Sequence, residues 1–351
     1  MSTSTTPSSP YPPVLKKTVR LACIQLASGA DKAANLAHAR EKVLEASRAP
    51  HAANIVVLPE CFNSPYGCDY FPSYAEPLLP SPPSREQSPT FHALSEMAKE
   101  AGVYLVGGSI PEVVSAAAAA AGAEGSAGKG GDGAEGNKYY NTSLTFSPAG
   151  ELLATHRKVH LFDIDIPGGI TFRESDVLSP GNKVTVVDLP EYGKIAVAIC
   201  YDIRFPELAT IAARRGGRGS GSGEGQTGGG GGGGGDEAGA FALIYPGAFN
   251  LTTGPLHWKL LGQARAVDNQ IYVALCSPAR DMGATYHAWG HSLVVDPMAQ
   301  VLVELDEAEG IAVAELSADK VENTRKGIPL HDQRRWDVYP DVSRGKVRWE
   351  E

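Results

Sequence analysis

Short, nearly continuous apolar runs alternate with helix-patterned stretches along most of this chain, and that alternation restricts its folds more than any other feature. Val19–Gln25, Asn54–Glu60 and Val103–Ile110 read as strands, with helical stretches near 32–49 and 90–101 between them. Tyr140–Phe146 and Leu152–Lys158 flank the turn Ser147–Gly150 and read as a hairpin. The alternation then resumes with strands at Ile195–Ile199, Phe241–Tyr245 and Ile271–Leu275, and helices near 205–215 and 256–268. Ser292–Val303 reads as a second hairpin, closed by Ile311–Leu316. Two similar α/β halves, each burying one face of its sheet on the other, fit this pattern.

A hydrophobic content of 42% over 351 residues supports a sizeable core, either as about two domains or as one large layered domain. The net charge of -9 argues against nucleic-acid or anionic-membrane partners, which select a basic face, and favours a small-molecule substrate. No run approaches the roughly 20 apolar residues needed to cross a bilayer, and the Ser/Thr/Pro-rich start has no apolar signal core. The 5 cysteines are odd in number and lack C-x-x-C spacing, so neither a disulfide framework nor a zinc site is indicated. The expected location is cytoplasmic, with mitochondrion and plastid left open. Residues 1–17 read as a flexible arm, 18–340 as the main domain and 341–351 as a tail. Segments at about 115–137 and 216–239, rich in Ala and Gly, read as flexible insertions. The run Gly228–Gly235 lacks the Lys-Ser/Thr ending of a phosphate loop.

Within this frame Cys200 ends the apolar run that starts at Lys194, and Tyr201-Asp-Ile-Arg-Phe-Pro-Glu-Leu208 reads as a helix start, with Asp202 a candidate N-cap and Pro206 in the first turn. A cysteine at such a corner projects from a sheet end, and helix N–H groups nearby would favour its thiolate. A buried, inert cysteine is the plainer reading of the residue alone. Glu60, at the end of an apolar strand, either does chemistry or is paired with backbone N–H groups. Lys158 alone would pass as an ordinary strand-end amine. Together the three change weight, because each lies at the carboxyl end of a predicted strand, where open α/β sheets gather their sites. Thiolate, carboxylate and ammonium are a complete set for acyl transfer.

Leu58-Pro-Glu60, Arg157-Lys158-Val-His160 and Ile199-Cys200-Tyr-Asp-Ile-Arg204 resemble the signature motifs of the nitrilase (carbon-nitrogen hydrolase) superfamily. Leu58–Gly67, His160–Pro167, Tyr245–Pro255 and Ser277–Asp281 resemble its ω-amidase branch. The resemblance implies a four-layer αββα sandwich, a homodimer or larger homo-oligomer, and no metal or organic cofactor. It implies Glu60 as general base and acid, Lys158 as oxyanion stabiliser, Cys200 as nucleophile and Glu174 as a second carboxylate that orients Lys158 and the base. The Tyr201 backbone N–H is the expected second oxyanion donor. An ω-amidase hydrolyses the terminal amide of 2-oxoglutaramate or 2-oxosuccinamate through a cysteine thioester, and Arg204 is placed to grip the distal carboxylate, with Phe249 as a pocket wall. The plain alternative for Arg204 is a salt bridge with Glu207 or another acid near the helix start. Arg204-Phe-Pro-Glu207 also fits a sister branch acting on deaminated glutathione, and an N-carbamoyl-amine hydrolase or a catalytically silent scaffold are the other readings.

Overall fold

The computed structural model describes residues 13–116, 136–168, 171–214, 239–335 and 338–339. The two insertions expected from composition, and the expected tail, lie almost wholly outside the described residues.

In the first half, β1 (Val19–Gln25), β2 (Ile55–Val57) and β3 (Tyr104–Val106) run parallel, joined by α1 (Lys32–Ser47) and α2 (Pro89–Ala101). β4 (Ile110–Val114), β5 (Lys138–Phe146) and β6 (Leu152–Arg157) extend this sheet antiparallel. After the small hairpin of β7 (Asp163–Asp165) and β8 (Thr171–Arg173), the second half starts with β9 (Thr185–Leu189) and β10 (Gly193–Val197). α3 (Pro206–Ala213), β11 (Ala240–Pro246), α4 (Gly254–Asn269) and β12 (Tyr272–Cys276) follow, and β10, β11 and β12 are again parallel. β13 (Leu293–Val295) and β14 (Val301–Glu304) complete a six-stranded sheet, in the order β14-β13-β12-β11-β10-β9. The chain then crosses back, and β15 (Gly310–Leu316) joins the edge of the first, seven-stranded sheet beside β1, followed by α5 (Ala318–Gly327).

The period of 2 along each strand divides its side chains between two cores. Leu21, Cys23, Ile55 and Val57 of the first sheet meet Ile195, Val197, Ile244 and Ala274 of the second in a central layer. The alternate residues Ala22, Ile24 and Val56 pack under α1 and α2 with Val43, Leu94 and Met97. On the far side Ala196, Leu243, Tyr245 and Val273 pack under α3 and α4 with Leu208 and Trp258. The order helix, sheet, sheet, helix is therefore built into strands that are apolar on both faces, and it is the expected four-layer αββα sandwich. A charge at Val197, buried between the sheets, would have no partner there and would break the layer.

Several boundaries differ from the sequence reading for definable reasons. The strand expected over 54–60 ends at Val57, because Pro59 has no N–H to give a ladder. The run 103–110 splits at Gly108, whose φ of +60° turns the chain, and a Cβ there would lie 2.1 Å from the Pro59 carbonyl oxygen. Val14 and Leu15, expected in the free arm, are buried, and Leu15 bridges to Gly193. His331, in the terminal stretch, rests its Nε2 3.0 Å from the Asn269 carbonyl. Glu60 lies just beyond β2, Lys158 just beyond β6 and Cys200 just beyond β10, so two different sheets supply one site.

Candidate active site

Glu60 is fixed first by its loop. The Pro59 carbonyl accepts the Ser109 N–H at 3.3 Å, and the Ser109 hydroxyl accepts the N–H of Cys61, which takes φ +54°. The Glu60 side chain is 1% exposed and its oxygens are shared out. Oε1 accepts Asn141 Nδ2 at 2.9 Å and Lys158 Nζ at 3.1 Å, and Oε2 accepts the Ala248 N–H at 2.9 Å.

Lys158 is also 1% exposed, an extreme position for an ammonium. Its Nζ donates to Glu60 and, at 2.8 Å, to Oε1 of Glu174, whose Oε2 accepts the Phe162 N–H at 2.7 Å. Burial works against the ammonium, but Glu174 and Glu60 outweigh it and hold the Lys158 pKa well above its ordinary value. Glu174 is pushed up by burial, against the pull of Lys158 and with the repulsion of Glu60. An ammonium has three donors, and two are spoken for. The third is available to a carbonyl oxygen that acquires charge.

Cys200 is 3% exposed and takes φ +46°, the left-handed region that a non-glycine residue enters at a cost of about 1–3 kcal/mol. The Asp202 N–H donates to the Ile199 carbonyl at 3.0 Å, and that leaves the Tyr201 N–H ahead of the first bond of the turn Cys200–Arg204. Gly247 backs the elbow, since a Cβ on it would stand 3.0 Å from the Cys200 Cα.

Two expectations need correction. The expected helix start at the elbow is a short 3-10 turn, α3 begins only at Pro206 with Phe205 at its N-cap, and Asp202 turns its side chain back to the Ile199 N–H instead of capping α3. The thiolate is not favoured either. Burial, and then the Glu60 carboxylate, push the Cys200 thiol well above its ordinary pKa, with Lys158 pulling the other way. A helix N-terminus would have favoured the anion, but five residues of turn separate the sulfur from α3.

Arg204 is half-buried, with Nη1 3.2 Å from His257 Nδ1 and its guanidinium over the rings of Phe249 at 4.9 Å and Tyr201 at 5.4 Å. Among the described residues it pairs with no carboxylate, so the salt bridge with Glu207 is absent. Phe249 is buried against Trp258, ring centroids 5.0 Å apart.

Four participants escaped the sequence reading. Asn141 and the Ala248 N–H hold the Glu60 carboxylate, and Tyr66 and Tyr286 lie near enough to feel the charges of Glu60 and Cys200. Tyr286 donates to the Ala248 carbonyl at 2.5 Å, and its ring lies 4.3 Å from that of Tyr66. Burial raises both phenols well above their ordinary pKa, so they stay protonated. A polar Asn in the middle of a buried strand was the only legible signal among them. Among the described residues no group of three or more His, Cys, Asp or Glu could hold a metal ion, and no helix is long and apolar enough to cross a membrane.

A hydrogen-bonded Glu60–Lys158–Glu174 cluster, with the buried Cys200 close enough to feel its charges, suits covalent acyl transfer. The carbon-nitrogen hydrolase family profile matches residues 20–219 and 236–326. The chain belongs to the carbon-nitrogen hydrolase family. This hydrolase of amide C–N bonds is 45% identical to the omega-amidase NIT3 of Saccharomyces cerevisiae over 94% of its own length and 98% of that protein's. It is 47% identical to the omega-amidase NIT2 of Mus musculus, over 92% and 97% of the two chains. The crystal structure of Saccharomyces cerevisiae Nit3, described as a nitrilase-superfamily member, superposes with a TM-score of 0.73 at 42% identity, over 92% of this chain and 98% of that one.

Proposed function

We propose that this hydrolase is an ω-amidase that converts 2-oxoglutaramate or 2-oxosuccinamate to the 2-oxo-dicarboxylate and ammonia through a thioester on Cys200. The observation that carries the chemistry is the Lys158 ammonium, clamped between two buried carboxylates with one donor to spare. As the sulfur attacks the amide carbon, Glu60 takes the thiol proton and the carbonyl π pair moves onto oxygen. The third Lys158 N–H and the Tyr201 N–H receive that oxyanion. Collapse breaks the C–N bond, and the nitrogen leaves as ammonia with the proton from Glu60. Water then attacks the thioester while Glu60 takes its proton, the C–S bond breaks, and the proton returns to sulfur. Glu174 keeps Lys158 in place throughout.

The distal carboxylate falls to Arg204, which has aromatic rings beside it and no acid. Exposed Leu256 and Leu260 on α4, and exposed Ile211 on α3, which packs against α4, support a homodimer, which sedimentation at graded concentrations would test. The substrate assignment is tested by ammonia release from 2-oxoglutaramate, deaminated glutathione, an N-carbamoyl amine and a neutral amide. Arg204→Ala should raise KM for the oxo-acid amide roughly 30-fold or more, the worth of a charge-assisted pair, and leave the neutral amide almost unchanged. Equal effects on both would remove the carboxylate role.

A further inference from the structure

We propose that Asp202 is a positioning residue, a buried bracket that sets the spacing between the Lys158 ammonium and the Cys200 sulfur. This rests on the amidase reading and deepens it. Asp202 is 0% exposed and follows the nucleophile by two residues. Its carboxylate collects donors from both catalytic segments. On the sulfur side, the Ile199 N–H reaches Oδ2 at 2.9 Å. On the amine side, His160 gives Oδ1 both its backbone N–H and its Nδ1, each at 2.8 Å, and the Val159 N–H lies 3.5 Å from Oδ2. His156, on β6, adds Nε2 at 3.4 Å, with its Nδ1 2.9 Å from the Thr185 hydroxyl.

The bracket's placement is what matters. Ile199 immediately precedes Cys200, and Val159 immediately follows Lys158. One carboxylate thus pins the backbone one residue away from each reacting side chain, and those side chains come from different sheets. Burial alone would push this carboxyl up. The hydrogen bonds from His156 and His160, with the backbone donors, outweigh burial and hold it well below the usual carboxylate range, so the bracket stays ionised. Both oxygens accept, as an ionised carboxylate can and an amide cannot. The His160 ring is itself stacked on Phe205, centroids 3.6 Å apart and planes 9° from parallel, and Phe205 in turn stands at the N-cap position of α3.

The test is Asp202→Asn in the full chain, assayed on whichever primary amide the wild type hydrolyses. The variant puts an NH2 group where N–H donors point, so the spacing loosens. A misplacement near 1 Å costs on the order of 100-fold, so kcat should fall roughly 10- to 100-fold. KM should stay within about threefold, because the substrate-binding groups are untouched. Alkylation of Cys200 by iodoacetamide should slow in parallel, since Lys158 no longer supports the thiolate as well. Alkylation needs no substrate, so a wild type that ignores 2-oxoglutaramate would defeat the substrate reading and leave this one measurable. Should Asp202→Asn fail to fold, the half-buried His160 offers a second route. His160→Ala removes one donor and should lower kcat about fivefold, the worth of about one hydrogen bond, whereas His160→Asn, whose amide N–H stands where Nδ1 stood, should restore it. A folded Asp202→Asn with unchanged kcat, or His160→Ala and His160→Asn behaving alike, overturns the proposal.

Discussion

Arg157 and Lys158 are consecutive residues at the end of β6, each set against buried carboxylate, and the two contacts are built differently. Arg157 gives Nε and Nη2 to the two oxygens of Glu112 at 2.8 and 2.6 Å, and its guanidinium lies 3.8 Å over the Tyr140 ring. The Thr142 hydroxyl also donates to Glu112, at 2.6 Å. Fork meets fork, both acceptor oxygens are filled, and the pair is closed. Lys158 faces two acids with a point charge and three donors, of which two are engaged. The Arg157 side chain keeps 31% of its exposure, while that of Lys158 keeps none. A closed pair stiffens the fold. An ammonium with a third donor beyond its two carboxylate contacts suits, on the amidase reading, an acceptor that comes and goes.

The sharpest way to break this contrast is Lys158→Met. Losing one oxyanion donor costs about 100- to 1000-fold, and here the orienting charge for Glu60 disappears as well. Turnover should therefore fall by at least about 1000-fold in single-turnover assays. The same variant strands Glu60 and Glu174 without their cation, so thermal stability should fall too, as when a buried pair loses one partner. A Lys158→Met enzyme retaining a tenth of wild-type turnover would mean that the spare donor does no chemistry.

A smaller effect tests the electrostatic balance. Burial raises the Cys200 thiol, and two carboxylates against one ammonium raise it further. A raised thiol keeps its proton in the folded chain at pH values where the unfolded chain releases it, so this group's contribution to stability is constant at neutral pH and falls as pH rises beyond the ordinary thiol pKa near 8.5. By the same sign, the rate of Cys200 alkylation should climb about tenfold per pH unit through 7–8 and go on climbing past pH 9, where an ordinary thiol levels off. A flat profile from pH 6 upward would show instead that Lys158 dominates its neighbours.

The layers, and the placing of a Cys, a Glu and a Lys just past strand ends, were legible because each leaves a local trace. Strands buried on both faces must be apolar at every position, and a Cys, Glu or Lys just past such a run stands out. Asp202 misled for the same local reason, since an acid before a Pro reads as a cap until the turn is seen to fold its side chain back on Ile199. Asn141 showed only as a polar residue in a buried strand, and Tyr66, Tyr286 and the Ala248 N–H were not legible, because what makes them matter is contact across sheets and loops far apart in sequence. β7 and β8 lie in a half-exposed segment whose alternation is too short to register. The raised thiol comes first from burial and then from charged side chains on three separate segments, which no local pattern encodes.

The smallest effect on chemistry belongs to Glu112→Gln, and it sharpens the comparison from the closed side. The amide keeps one acceptor for the Arg157 fork and turns its NH2 toward the other donor, at a buried position 1% exposed. Removing one partner of a buried hydrogen bond costs about 1–3 kcal/mol, so urea unfolding should shift to lower midpoint with an unchanged slope. Lys158 takes its place from Glu60, Glu174 and the carbonyl of Asn141, which accepts its backbone N–H at 2.8 Å, none of which is Glu112. Turnover at a temperature where the variant is folded should therefore stay within about threefold of wild type, the scatter expected for a change outside the reacting groups. If kcat instead collapsed while the unfolding midpoint held, the neighbouring cations would be one coupled unit, and the division between a closed pair and an open one would not stand.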